Sequence, residues 1–104
     1  MRVEHFIESP AFMAQRAALL SDDEFAALTT RLAAQPDAGV ALGGNVFKIR
    51  VGLAGRGRRG GARVVYGWRR ADGVIVFLAC YAKNEAATLS PAGLAALQAI
   101  FREE

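Results

Sequence analysis

The sequence predicts a small α+β fold in the order β-α-α-β-β-β-α. Three observations predict it. Apolar residues recur at helical spacing in the first third of the chain and again near its C-terminal end; from Val46 the apolar period becomes two; and Ser21 and Ser90 stand where helix N-termini need a side-chain acceptor. At 104 residues and 11.1 kDa the chain is long enough for one hydrophobic core and too short for two ordinary domains, so one domain is expected over residues 1–104.

The opening "RVEHFIES" alternates as a short strand, with Val3, His5 and Ile7 expected on one side. Pro10 then starts a helix in which Met13, Ala17 and Leu20 mark one face, with Phe12 and Leu19 beside them. Ser21 followed by Glu24 is a capping box, which satisfies two unpaired backbone donors and starts a second helix with Phe25, Leu28 and Leu32 as its buried stripe. "QPDAG" ends that helix. From Val46, Phe47, Ile49 and Val51 point one way and Lys48 and Arg50 the other, as in a strand with one face buried. In "ARVVYGWRR", Val64, Tyr66 and Trp68 form the core face, and Arg63, Val65, Gly67 and Arg69 the opposite one. "ADG" is a tight turn, and "VIVFLACYA", apolar on both faces, is a central strand. Ser90 and Pro91 open a last helix with Leu94, Leu97 and Phe101 buried.

Charge is segregated along this order. The formal net charge is only +3, yet no acidic residue lies between Asp37 and Asp72, while Lys48, Arg50, Arg56, Arg58, Arg59, Arg63, Arg69 and Arg70 all do. Such clustering favours a polyanionic partner, nucleic acid or an acidic protein. Between the second and third strands, "GLAGRGRRGGA" makes a connection of about ten residues, longer than a usual hairpin loop. Its glycines let backbone amides approach a phosphate, and its arginines can grip phosphate oxygens in a bidentate way; a solvated charged loop is the plainer alternative. Cys80 is the only cysteine, so neither an intramolecular disulfide nor a cysteine-based metal cage can form. The longest apolar run, Val74 to Ala82, is far below the roughly 20 residues a membrane helix needs. "MRVEHFIES" lacks the apolar core of a signal peptide, and a cytoplasmic protein is expected.

Two segments make the pattern specific. "GGARVVY" at 60–66 and "YAKNE" at 81–85 resemble the RelE/ParE superfamily of toxins, in its HigB-like branch. There a basic glycine-rich hairpin leads into a Gly-Gly-Ala-Arg-Val-Ile-Tyr strand and later into a Tyr-Ala-Lys-(Asn/Ser)-Glu segment. The resemblance covers nearly the whole chain, most sharply Val46 to Pro91. It implies a RelE-like fold, an antiparallel sheet with helices packed on one face. It also implies the toxin of a type II toxin–antitoxin system that cleaves messenger RNA on the translating ribosome, and a cognate antitoxin, usually with a helix-turn-helix domain. The sequence departs from that pattern at Gly67, where relatives commonly carry a bulkier residue, and after Leu89, where no tyrosine occurs.

The resemblance matches Arg63 to the strand arginine that grips the scissile phosphate, and places Lys83 where the superfamily carries a second cation, a proton donor or phosphate clamp. Lys48 and Arg50 match basic strand positions approximately, to hold phosphates or assist proton transfer. Arg56, Arg58, Arg59 and Arg69 complete the surface expected to meet RNA and the ribosome. Tyr81 either stacks on a base or packs in the core; Tyr66 and Trp68 are expected in the core; Glu85 either positions a cation or solvates its loop. RNA cleavage by the 2′-hydroxyl needs that group deprotonated, charge on phosphorus stabilised and the leaving oxygen protonated. His5 is the sole histidine, so no two-histidine acid/base pair exists, and lysines, arginines and tyrosines remain for the chemistry, with no metal or cofactor required. ParE-type relatives instead bind DNA gyrase without cutting RNA, and a non-enzymatic RNA-binding or degenerate toxin would carry a similar face; the density of cations favours the nuclease.

Overall fold

The computed structural model of the chain describes residues 2–52, 61–82 and 89–104. Strand β1 (His5–Glu8) leads into helix α1 (Pro10–Leu19), whose N-cap Ser9 accepts a hydrogen bond from the Phe12 amide at 3.1 Å. The expected capping box opens α2 (Asp22–Ala34): Ser21 Oγ accepts from the Glu24 amide at 3.1 Å, and the Glu24 carboxylate accepts from the Ser21 amide at 2.7 Å. Four more strands follow, β2 (Val40–Gly43), β3 (Val46–Val51), β4 (Ala62–Arg69) and β5 (Val74–Ala82), and then α3 (Pro91–Glu103), capped by Ser90.

The α+β class holds, with three differences of detail. First, β2 is a strand that the sequence does not announce. It pairs antiparallel with β3 through a two-residue turn at Gly44 and Asn45, whose φ values of 65° and 62° mark a turn of the hairpin-closing I′ kind. Second, the sheet is mixed: its order is β1-β5-β4-β3-β2, and β1 runs parallel to β5. Third, helices cover both faces. The apolar residues of β5 alternate between two core clusters, so helices on one side alone would leave Val74, Val76 and Leu78 bare.

On the first face Phe12, Leu20, Leu28 and Leu32 pack on Phe47, Ile49, Tyr66, Trp68, Ile75 and Phe77. The Phe12 and Phe77 rings stack at 4.9 Å. Tyr66 is fully buried; its hydroxyl donates to the Pro36 carbonyl at 2.8 Å and accepts from the Gly39 amide at 3.1 Å, tying the chain between α2 and β2 to the sheet. On the second face Phe101 of α3, with Leu94 and Leu97, packs beside Val46, Val74 and Val76. A side chain at Gly67 would collide with the Phe101 ring, which is the local reason for glycine there.

Two face assignments are corrected. In α1 the inward residues are Phe12 and Leu19, while Met13 is 56% exposed and Ala17 is exposed. Arg16 occupies the remaining inward-tilted position, 4.2 Å above the Phe25 ring and 3.1 Å from Glu8. Near the N-terminus Val3 packs on the first face and Ile7 on the second, with His5 exposed, because the strand begins only at His5 and Val3 precedes its alternation.

Candidate functional site

The register of the central strands assembles a row of functional side chains. Arg50 on β3 lies opposite Arg63 on β4, and Arg63 lies opposite Tyr81 on β5; in the adjoining row Lys48 opposes Val65, which opposes Ala79. Directly opposed residues share a face with Cβ atoms about 4.5–5.5 Å apart. Arg50, Arg63, Tyr81 and Lys48 therefore stand together on the second face, beyond the end that α3 covers through Gly67. Arg50 is exposed, and Lys48 and Arg63 are partly exposed. None of these three strands contains an acidic residue. Arg50 and Arg63 thus set two guanidinium side chains on neighbouring strands of one face.

Tyr81 is 5% exposed, and its burial pushes the phenol above its ordinary value, while the charge of Arg63 opposes part of that rise. At neutral pH the phenol is consequently an O–H donor rather than an anion. Its direction depends on a bulge: Tyr66 pairs with Phe77 but Val65 with Ala79, so Leu78 is an extra residue in β5. Paired one for one from Tyr66, Arg63 would face Cys80, and Tyr81 would turn to the opposite side. Cys80 is instead buried among the first-face residues.

The row lies near the ends of β3 and β5 and the start of β4. The β3–β4 ladder ends at Val51 opposite Ala62, one pair past Arg50 and Arg63. Gly61 closes it with φ of 74°, where any side chain would run into the Val51 carbonyl. Arg56, Arg58 and Arg59 of that connection, and Lys83 and Glu85 beyond Ala82, lie outside the described residues. An open groove of about 350 Å³ adjoins Arg50 between α2 and the end of β3, with Ala27, Leu28 and Val51 in its wall; nothing in the sequence pattern marks it.

Arg69 does not join the row. Six residues from Arg63 along β4, it is about 20 Å away, and its guanidinium donates to both Asp72 carboxylate oxygens, at 2.9 and 3.1 Å, and to the main-chain oxygen of Glu104 at 2.9 Å. It clamps the β4–β5 turn to the end of α3. His5 pairs with Val74, at the opposite end of β5 from Tyr81. Among the described residues no three of His, Cys, Asp and Glu come together as a metal-holding group, and no helix is long and apolar enough to cross a membrane.

The fold has a solved counterpart. A structure of the E. coli toxin RelE, a mutant in the free state, matches with a TM-score of 0.60 over 98% of this chain and 98% of that chain, at 16% sequence identity. That likeness defines a RelE-type α+β fold. The sequence itself matches the family model described as the RelE toxin of the RelE/RelB toxin–antitoxin system over residues 11–103, and the chain belongs to that family. It is thus a toxin-family protein of toxin–antitoxin systems, and membership implies a cognate antitoxin.

Proposed function

We propose that this chain is a toxin that inhibits translation and arrests growth by cutting messenger RNA on the ribosome, through attack of the RNA's own 2′-hydroxyl. The observation that carries the reading is the Arg50–Arg63–Tyr81 row on three acid-free strands. The 2′-hydroxyl gives up its proton to solvent water as its oxygen bonds to the adjacent phosphorus, and the bond from phosphorus to the 5′-oxygen breaks, leaving a 2′,3′-cyclic phosphate and, once the leaving oxygen takes a proton, a free 5′-hydroxyl. Arg63, with Arg50 beside it, offsets the charge that builds on the phosphate oxygens. Tyr81 donates a hydrogen bond to the same group, Lys48 holds a neighbouring phosphate, and Lys83 delivers the proton to the leaving oxygen. Arg56, Arg58 and Arg59 hold flanking RNA. Without a strong base in the row, the reaction relies on the ribosome to align the 2′-hydroxyl with the leaving oxygen, and free RNA is a poor substrate.

The two matched segments support the HigB-like branch and, through that resemblance, an antitoxin with a helix-turn-helix domain; the cationic face supports acidic or amphipathic segments in that antitoxin, and action on the ribosome goes with a cytoplasmic setting. End mapping of transcripts in cells induced for the chain tests the reaction. Cyclic or 3′-phosphates with 5′-hydroxyls are expected, persisting in EDTA where ribosomes are kept assembled. Fragments with 5′-phosphates and 3′-hydroxyls would remove Arg63 and Lys83 from the mechanism. Failure of chromosome supercoiling before translation would favour gyrase binding instead.

A further inference from the structure

The sheet edge behind Tyr81 is not closed by a strand. β1 pairs with β5 only as far as Glu8 opposite Phe77. Beyond that point α1 and its cap supply the partners. The Ser9 amide donates to the Phe77 carbonyl at 3.0 Å, Ser9 Oγ donates to the carbonyl of the bulged residue Leu78 at 3.3 Å, and Gln15 Oε1 accepts from the Cys80 amide at 2.9 Å. Ser9 is 4% exposed and its hydroxyl also caps α1, so helix start and bulge share one atom. Gln15 reaches across 65 positions of sequence to the residue immediately before Tyr81.

We propose that Ser9 and Gln15 are positioning residues that hold the β5 bulge and so keep Tyr81 opposite Arg63. The register carries the inference: one residue gained or lost at Leu78 exchanges the faces of Cys80 and Tyr81, and the contacts from α1 fall on Phe77, Leu78 and Cys80, before, at and after the bulge. A backbone N–H or carbonyl fixed to a helix cannot shift by one residue without losing its partner. Ser9 and Gln15 touch no reacting atom; they act through the placement of Tyr81. The proposal rests on the row being the phosphate-binding centre.

The test uses the full chain in two assays: cleavage on messenger-programmed ribosomes, and carbon NMR of labelled tyrosine rings in the free protein. Tyr66 and Tyr81 are the only two tyrosines, so Tyr66 is an internal reference. Gln15→Met removes the acceptor at similar length, and Gln15→Glu restores an oxygen; Ser9→Ala also removes the helix cap, so Gln15 carries the test. Gln15→Met is expected to lower kcat about three- to tenfold at unchanged KM, to shift or double the Tyr81 resonance and to leave that of Tyr66 in place. Gln15→Glu returns both readouts toward their original values. An unchanged kcat, an undisturbed Tyr81 resonance, or equal movement of Tyr66 overturns the proposal. If the unaltered chain cuts nothing on ribosomes, the proposed function fails, and the resonance still decides whether Gln15 sets the register.

Discussion

Arg63 and Arg69 stand on the same face of the same strand and meet different surroundings. Arg69 has Asp72 three residues away and the end of α3 above it, so its charge is met by a carboxylate and a main-chain oxygen. Arg63 faces Arg50 on one side and a buried phenol on the other. Six residues separate a cation that fastens a turn to a helix from one set opposite a second cation. Gly67, between them, marks the boundary, because α3 rests on it through Phe101. Position in a charged run therefore says less about function than the groups that the fold sets around each charge.

The largest expected effect concerns the layer beneath both arginines. Trp68 is 2% exposed in the first-face core, and Trp68→Ala should cost about 3–5 kcal/mol. That is a large part of the stability of any small domain, so chemical denaturation should show both ends of β4 lost together. Arg63→Ala should reduce cleavage by about 10²–10³-fold, the usual result of removing one donor to a developing oxyanion. Its thermal midpoint should move far less than that of Trp68→Ala, since the arginine is partly exposed and no core site is emptied. Arg69→Ala should do the reverse, keeping cleavage and losing about 0.2–1 kcal/mol. Arg63→Ala protein that is folded and still toxic would break the contrast.

A smaller effect tests the boundary. Gly67→Ala places a methyl group against the Phe101 ring, and overpacking of this kind costs about 1–3 kcal/mol. Adding Phe101→Leu should recover part of the loss by making room. No recovery would mean that the glycine serves something other than the seat of α3.

Much of this contrast is legible in the amino-acid sequence, though unevenly. The Ser21–Glu24 capping box is a local chemical signal, and so is the period of two that puts Lys48, Arg50 and Arg63 away from the core; both stand as expected. Asp72, three residues after Arg69 in a tight turn, is also a visible clue to the ion pair that Arg69 makes. The pairing of Arg50 with Arg63 is not legible, because a connection of about ten residues fixes no register. Nor is the direction of Tyr81, since a bulge in an all-apolar strand leaves no trace in the period. β2 is hidden because Val-Ala-Leu-Gly is too short to show alternation, although the Gly44–Asn45 turn beside it is a signal. The phase of α1 is obscured because Arg16 fills an inward position with its stem and ring contact, which a count of apolar residues does not register.

The smallest effect again sets the two faces against each other, through the two tyrosines. Tyr66 lies in the first-face core and Tyr81 in the second, and burial is the leading cause that raises both phenols above the ordinary value. A raised folded-state value means that the unfolded chain releases its phenol protons first. The contribution to stability is whole below about pH 10 and is lost as pH rises through the folded values. Denaturant midpoints should therefore be flat with respect to these groups from pH 7 to about 9 and fall above about 10. Tyr81→Phe should remove part of that fall with little change at pH 7. Tyr66→Phe should also flatten it, but at a cost of about 1–3 kcal/mol at neutral pH, because the Gly39 amide and the Pro36 carbonyl lose their common partner. If Tyr81→Phe instead destabilises at pH 7 as much as Tyr66→Phe, its hydroxyl is fastened into the fold rather than presented beside Arg63, and its place as a donor to the phosphate is lost.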